Sequence, residues 1–561
     1  MRHPNRRYSL VPLLAPFTAL LCIGCPAPAP PADTIDVAAL PDAIADDATD
    51  ASDDADAGPT RVTVSTPSGP IVGMDWATTR AFLNIPYAGS PAGAGRWRPP
   101  SPVVPWTTPR DGTQFGPRCP EPASGTNPPV GDEDCLQLNV WTAARSETER
   151  LPVMVFIHGG GFTGGSAIQP LHNGRLLSTR ERNVVVTLNY RLGQLGFLAH
   201  AALVAEDTVH HAAGNYGLLD QQAALRWVQS HIASFGGDPT QVTIFGESAG
   251  AISVCAHVAS PLARGLFRAA IFESGSCAFI FTPLHDTTAR PYESGEALGG
   301  QFARAAMCDT ASDVPACLRS RSVGAVLAAV PRNLENLDSR QAYYAPVIDG
   351  YVLPENPWTA FRAGRGNPVA LMLGTNLDEG TGFTLNAPAR TAADFDARLA
   401  TLLPDHVADL QRMFPVASFA SPTAALNAVI EDLIFVCPAR AHARVLAAID
   451  PRVFLYQFTS ISDFGRASGL GVFHGAELSY IFGTFASFIP RSAATLRVSQ
   501  YLMDTWGRFA STLDPNGAGF PRWERFTVAN DAYMDLGDSP TPRTALHTAR
   551  CSTIEPWLDE R

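Results

Sequence analysis

Short apolar runs alternate with stretches of helical periodicity along most of this chain. Arg61–Ile71 (RVTVSTPSGPI) reads as two short strands around a Pro-Ser-Gly turn. Leu136–Trp141 predicts a strand, and Pro152–Ile157 (PVMVFI) is a continuous apolar run, the pattern of a strand covered on both faces. Asn183–Tyr190 contains a second such run. Leu218–Phe235 repeats apolar residues at helical spacing, and Gly236-Gly237-Asp238-Pro239 should stop that helix. Further strands are expected at Leu266–Glu273, Asn367–Gly374 and Arg452–Phe458. Strands alternating with helices imply an α/β fold with a mostly parallel sheet and helices on both faces. The helix-rich stretches 280–345 and 384–450 are expected to be insertions that cap the sheet and wall a pocket.

The pattern changes period in the middle of one run. Gln241–Phe245 favours a buried strand, and Ala251–Val258 suits a helix. Between them Gly246-Glu247-Ser248-Ala249-Gly250 reads G-x-S-x-G, the sharp strand-to-helix turn called a nucleophile elbow. Chance copies of so short a motif occur, but the strand before it and the helix after it supply the required context. Ser248 would stand at the tip of the turn, facing the positive end of the following helix.

A serine hydroxyl needs a base to take its proton. His406, His442, His474 and His547 all lie beyond a plausible acid. His442 falls in a helical run, His406 in a polar helix-like stretch and His547 near the carboxyl terminus. His474 follows the strand at Arg452–Phe458 after a loop with Gly465, Gly469 and Gly471, with a helix expected after it, and is the expected base. The acid should lie in Asn376-Leu377-Asp378-Glu379-Gly380, where the residues alone do not separate Asp378 from Glu379. His158-Gly159-Gly160-Gly161-Phe162 follows the 152–157 strand, and such a loop can bring backbone N–H groups close to a substrate. Together with Ala249, Gly160 and Gly161 would form a three-donor oxyanion hole. The lysine of a phosphate-binding G-x-x-x-x-G-K-[ST] loop is absent there, so nucleotide binding is not expected.

Charge narrows the partners. The formal charge of -12 argues against nucleic acid. Nine aspartates and no basic residue fall between 33 and 56, so the remainder carries an ordinary acidic surface. Residues 1–25 read as an export signal, with Arg2, Arg6 and Arg7 before the apolar Leu10–Leu21. Cys22-Ile23-Gly24-Cys25 resembles a bacterial lipoprotein cleavage box with Cys25 as the lipidated residue, although Cys22 stands where leucine is usual. An ordinary secretory leader is the alternative. Residues 26–59 are rich in Pro, Ala and Asp and poor in large apolar side chains, so a disordered linker is expected before a catalytic domain at 60–561. Export would allow the eight later cysteines to form disulfides. None of them has zinc-site spacing, and no metal or organic cofactor is expected.

From Arg61 onward the chain resembles the type-B carboxylesterase and cholinesterase family, including bacterial p-nitrobenzyl esterases. The matching stretches are NIPYAGSPAGAGRWRPP, EDCLQLNVW, HGGGF, NYRLGQLGFL, GNYGLLDQQAALRWVQSHIASFGGDP, VTIFGESAG, APVIDG, GTNLDEG and FHGAEL. In order and combination they are specific. The resemblance implies an α/β-hydrolase fold with nucleophile Ser248, acid Glu379 and base His474. It implies an oxyanion hole at Gly160, Gly161 and Ala249, and supporting positions at Glu247 and Ser274. It also implies disulfides Cys119–Cys135, Cys308–Cys317 and Cys437–Cys551, and a buried Arg96–Glu133 salt bridge. Cys255 and Cys277 are left close to the elbow, and a fourth bond between them is expected.

Two departures matter. The short Cys119–Cys135 loop has no tryptophan to stack on a choline. Arg340-Gln341-Ala342 lacks the phenylalanines that narrow the cholinesterase acyl pocket, so a roomier acyl side is expected. The expected protein is therefore an extracytoplasmic serine carboxylesterase acting on small-molecule esters, either tethered to a membrane through Cys25 or secreted. A lipase, an amide or carbamate hydrolase on the same triad, and a non-catalytic neuroligin-like binding protein are the alternatives.

Overall fold

The apolar run at 152–157 becomes a strand at the centre of a large sheet because both of its faces are covered. Val153, Val155 and Ile157 enter one hydrophobic core, while Met154 and Phe156 enter a second on the opposite face. This alternation is the two-residue period of a strand applied to a sheet sandwiched between layers. The computed structural model describes residues 58–122, 129–278, 281–285, 294–329, 344–485 and 491–560. The expected export signal, Cys25, all but the last two residues of the expected linker, and Arg340–Ala342 lie outside the described residues.

The sheet starts with β1 (Thr60–Thr66), β2 (Gly69–Asp75) and β3 (Arg80–Pro86). It continues with β4 (Gln137–Thr142), β5 (Leu151–Ile157) and β6 (Val184–Leu188). The elbow strand is β7 (Gly237–Glu247), followed by β8 (Ala269–Glu273), β9 (Ala370–Asn376) and β10 (Val453–Phe458). A carboxyl-terminal pair, β11 (Ala532–Leu536) and β12 (Thr541–Thr544), ends it. The spatial order is β1-β2-β3-β4-β6-β5-β7-β8-β9-β10-β11-β12, with Arg110–Asp111 pairing beside β2. From β6 through β11 neighbouring strands are parallel; the flanking pairs are antiparallel.

Helices cover both faces, as the alternation of elements predicts. Against one face pack α1 (Tyr216–His231), through Leu218, Leu225 and Val228, and α2 (Ala249–Ala259), through Val254 and Val258. Against the other packs α3 (Ala493–Thr512), through Leu502, Trp506 and Phe509. The helical stretch 218–235 is one α-helix that tightens into a 3₁₀ turn at Ile232–Phe235 and ends on Gly236 at φ 78°. The strand then begins at Gly237 itself, earlier than Gln241. The stretch before His474 is not all loop: Asp463–Ser468 forms a short helix capped by the Ser462 hydroxyl, so Gly465 is helical.

Four disulfides join Cys119–Cys135, Cys255–Cys277, Cys308–Cys317 and Cys437–Cys551. They are the pairs expected from the sequence, and they place the folded chain in an oxidising, extracytoplasmic compartment. Cys437–Cys551 spans 114 residues, a closure that contributes about 4–5 kcal/mol in the loop-entropy account. Arg96 and Glu133 form a nearly buried two-bond pair at 2.5 and 2.6 Å. Arg96 also donates to the carbonyls of Arg319 and Arg321, tying this loop to the first helical insertion.

The second core turns on Phe156, whose ring centroid lies 5.0 Å from those of Phe245 and Phe482 and 4.7 Å from that of His172. Truncating a wholly buried phenylalanine removes its transfer energy and leaves a cavity. Phe156→Ala should therefore lower the unfolding free energy by about 3–5 kcal/mol, read from urea melts of the oxidised protein. A loss under 1 kcal/mol would mean this core does not hold the sheet.

Candidate active site

The elbow is built by steric exclusion. Ser248 sits at φ 56°, ψ −124°, a backbone conformation rare for a residue with a side chain. Its flanking glycines leave no room for anything larger. A Cβ on Gly250 would lie 2.0 Å from the Ile157 carbonyl oxygen, and one on Gly246 would lie 2.6 Å from the same atom. The turn is fastened by the Ser248 N–H, which donates to the Glu273 carbonyl at 2.9 Å. Partly exposed Ser248 thus stands between β7 and the amino end of α2.

The glycine loop after β5 packs on the same spot. A Cβ on Gly159 would meet Ser248 Cβ at 3.0 Å and Glu247 Oε2 at 2.8 Å. Gly160 and Gly161 have φ of 99° and 61°, and the Gly160 carbonyl accepts from the N–H groups of Thr163 and Gly164. The loop folds back on itself, and among the described residues the N–H groups of Gly160, Gly161 and Ala249 have no hydrogen-bond acceptor. Unpaired backbone donors beside an exposed hydroxyl are what a developing oxyanion requires.

Two adjacent carboxylates that the sequence left tied separate in space. Glu379 is wholly buried and accepts from His474 Nδ1 at 2.7 Å and from the Asn376 N–H at 2.7 Å. Asp378 turns the other way, where Oδ2 accepts from the Val472 N–H at 2.7 Å and pins the backbone leading to His474. The other three histidines are engaged elsewhere. His406 stacks on Trp557, His442 is buried with Nδ1 on the Pro438 carbonyl, and His547 bonds Asp432.

His474 is clamped between two acids. Its Nε2 faces Glu247 Oε1 at 3.1 Å, one residue before Ser248. The Ser248 hydroxyl itself makes no hydrogen bond among the described residues. Catalytic hydrogen bonds are often long or misaligned until substrate is bound. Burial works against the imidazolium, but Glu247 and Glu379 outweigh it and lift His474 to about 9. Glu247 is pushed up to about 7, first by burial, against the opposing pull of His474 and with the help of Glu379. Phe383 and Phe435 wall the imidazole, with ring centroids 5.0 and 4.9 Å away.

Several neighbours carried too little signal in the sequence to be singled out. Ser274, which was expected, is buried at φ 51°, and its hydroxyl has no partner among the described residues. Beside it Glu273 accepts from Trp506 Nε1 at 2.6 Å. Burial, then Glu477, raises the Glu273 carboxyl far above the usual range. Glu477, three residues past His474, is raised to about 8 by burial first and then by Glu247 and Glu379. Only its place inside FHGAEL could have flagged it.

Two clusters have the ligand types of a metal site. Cys255, Cys277 and His442 come together, but the two sulfurs are bonded to each other. Glu431, Asp432 and His547 also meet, and there Asp432 is already paired with His547 and Arg550.

An elbow serine, a buried carboxylate–imidazole pair and free amide donors form a constellation suited to acyl transfer. Comparison with known proteins agrees. The sequence profile of the carboxylesterase family matches residues 60–554. A fumonisin B1 esterase of Sphingopyxis macrogoltabida is 34% identical over 473 residues, covering 82% of this chain and 84% of the relative. A cholinesterase of Mus musculus is 32% identical over 505 residues, covering 84% and 81%. The pyrethroid hydrolase Ces2e of Rattus norvegicus is 33% identical over 503 residues, covering 84% of each. The chain belongs to the carboxylesterase family, as the sequence motifs implied, and it is a carboxylic ester hydrolase with the α/β-hydrolase fold.

Proposed function

We propose that ester hydrolysis proceeds through an acyl-enzyme on Ser248, with His474 as base and Glu379 as the acid that orients it. The observation that carries this reading is the 2.7 Å bond from His474 Nδ1 to buried Glu379, with the other ring nitrogen turned to the elbow. The Ser248 oxygen attacks the ester carbonyl and its proton passes to His474 Nε2. The carbonyl oxygen gains charge and is held by the N–H groups of Gly160, Gly161 and Ala249. His474 then gives its proton to the leaving alcohol. Water releases the acid by the same roles reversed. Glu379 stabilises the imidazolium and keeps the ring oriented. Glu247, against the other ring edge, strengthens that stabilisation, and Ser274, next to the Glu273 carbonyl that fastens the turn, is a supporting position.

The substrates are small-molecule esters. The missing tryptophan in the Cys119–Cys135 loop argues against choline esters, and relatives named for fumonisin B1 and for pyrethroids lend support to other esters, although a cholinesterase is comparably similar. We read residues 60–561 as the catalytic domain, 26–59 as a tether and 1–25 as a lipoprotein export signal that leaves Cys25 acylated at the cell envelope.

Four outcomes test this reading. Purified Ser248→Ala should lose at least about 10³-fold in kcat on a short-chain p-nitrophenyl ester and resist a fluorophosphonate probe; turnover within a few-fold of wild type refutes the mechanism. The base must be neutral to act, and the carboxylates hold its proton up to about pH 9, so wild-type kcat/KM should climb as pH rises towards 9. Glu247→Gln removes one of those charges, so the imidazole frees its proton sooner and the acid limb should move about one to three pH units lower. An unmoved limb would show that Glu247 does not act on the base. Metabolic labelling with a fatty-acid analogue should mark the wild-type chain and not Cys25→Ser, which should leave the membrane fraction; equal labelling of both excludes the tether.

A further inference from the structure

Asn376 ends β9 and is completely buried. Three of its contacts converge on the proposed base. Its backbone N–H donates to Glu379 Oε1 at 2.7 Å. Its side-chain amide donates to the Phe473 carbonyl at 2.9 Å and to Glu477 Oε2. Phe473 immediately precedes His474, and Glu477 begins the turn that leads into the helix Leu478–Phe482. One residue therefore grips the carboxylate on one edge of the imidazole, the backbone just before it and the Glu477 carboxylate just after it.

The side chain works through donation. A backbone carbonyl can only accept, so the atom facing Phe473 must be the amide nitrogen. The amide oxygen, by contrast, has no partner among the described residues. Among the described residues the side chain of Asn376 therefore acts as a donor and not as an acceptor. A leucine of similar size would fill the space but leave the Phe473 carbonyl and Glu477 without their donor.

We infer that Asn376 is a positioning residue that locks the His474 loop to the end of β9 through its amide donor, holding the imidazole on Glu379 and Glu477 in its bonded form. The inference rests on the Ser248–His474–Glu379 reading and deepens it. Apart from the Glu379 bond to the ring itself, the other ties from the segment after β9 to this loop among the described residues lie upstream of the imidazole, from Asp378 to Val472 and from Thr381 to the Leu470 carbonyl. Displacements of about 1 Å at a catalytic group can cost roughly 10² in rate.

The charge environment makes the role readable in solution. Glu477 is faced by Glu247, Glu379 and Glu273, and the Asn376 bond favours its ionised form against burial. His474 is faced by Glu247, Glu379 and Glu477. Without the amide, Glu477 keeps its proton to higher pH and exerts less pull on the imidazole. His474 then releases its own proton at lower pH.

The experiment compares Asn376→Ala, Asn376→Leu, Glu477→Gln, the Asn376→Ala/Glu477→Gln double variant and Ser248→Ala. All are checked for native circular dichroism and assayed on a p-nitrophenyl ester across pH. Asn376→Ala and Asn376→Leu should each lose about 10- to 100-fold in kcat with KM within two-fold of wild type. Their acid limb should move to lower pH, and Asn376→Ala should add no further movement once Glu477 is Gln. Either Asn376 variant that folds decides the matter. Leu restoring wild-type kcat would show that bulk alone is needed, and a loss of kcat with an unmoved acid limb would show a merely structural role; both overturn the inference. Wild-type kcat in the Asn376 variants beside an inactive Ser248→Ala overturns this inference only, whereas an active Ser248→Ala overturns the triad reading beneath it.

Discussion

The site depends on one imidazole held between two buried carboxylates. Glu379 accepts a hydrogen bond from Nδ1 at 2.7 Å and Glu247 faces Nε2 at 3.1 Å, in surroundings from which water is largely removed. In such a medium a neutral ring would be favoured by burial alone, yet two negative charges at close range reverse the balance. The arrangement favours the imidazolium, the form that the proposed mechanism requires once a serine proton has moved. It also holds a proton on the resting base. On the proposed mechanism the site trades activity in mild acid for stabilisation of the charged ring.

The rest of the fold can be understood as the scaffold for that clamp. β7 delivers Glu247 and Ser248, β9 delivers Asn376 and Glu379, and β10 leads to His474. These strands are parallel and near one another in the sheet, so their carboxyl ends open on the same edge. Buried side chains on both faces fix their heights relative to each other. The glycine loop after β5 arrives at the same edge because β5 lies next to β7. Far-separated sequence segments meet because adjacent parallel strands end together.

Much of this was legible in the sequence, and the reasons differ by residue. The elbow declared itself because Gly246 and Gly250 are demanded by contacts with a single carbonyl, that of Ile157. The strands at 152–157 and 184–188 were visible because two-sided burial leaves a continuous apolar run. β3 and the β11–β12 pair were not, since their short runs mix polar and apolar residues. Asp378 and Glu379 could not be ranked from their residue types; only the direction in which each side chain leaves the backbone divides them, and the family resemblance chose the one that meets His474. Glu273 and Glu477 had no periodic or spacing signature at all. Their significance is that burial brings like charges together, a property of three-dimensional packing.

The strap between Cys437 and Cys551 has a further consequence. Phe435 lies in a π-helical segment, Glu431–Val436, and walls the imidazole two residues before Cys437. The same segment is held from the carboxyl-terminal side through Asp432, which meets both His547 and Arg550. Cys551 and these two partners come later in the chain than every residue of the site. A chain made from its amino end therefore presents Ser248 and His474 before the segment that fastens Phe435 beside the imidazole. The last residues of the chain thus act as a late clasp on the wall beside His474, far in sequence from the groups they steady.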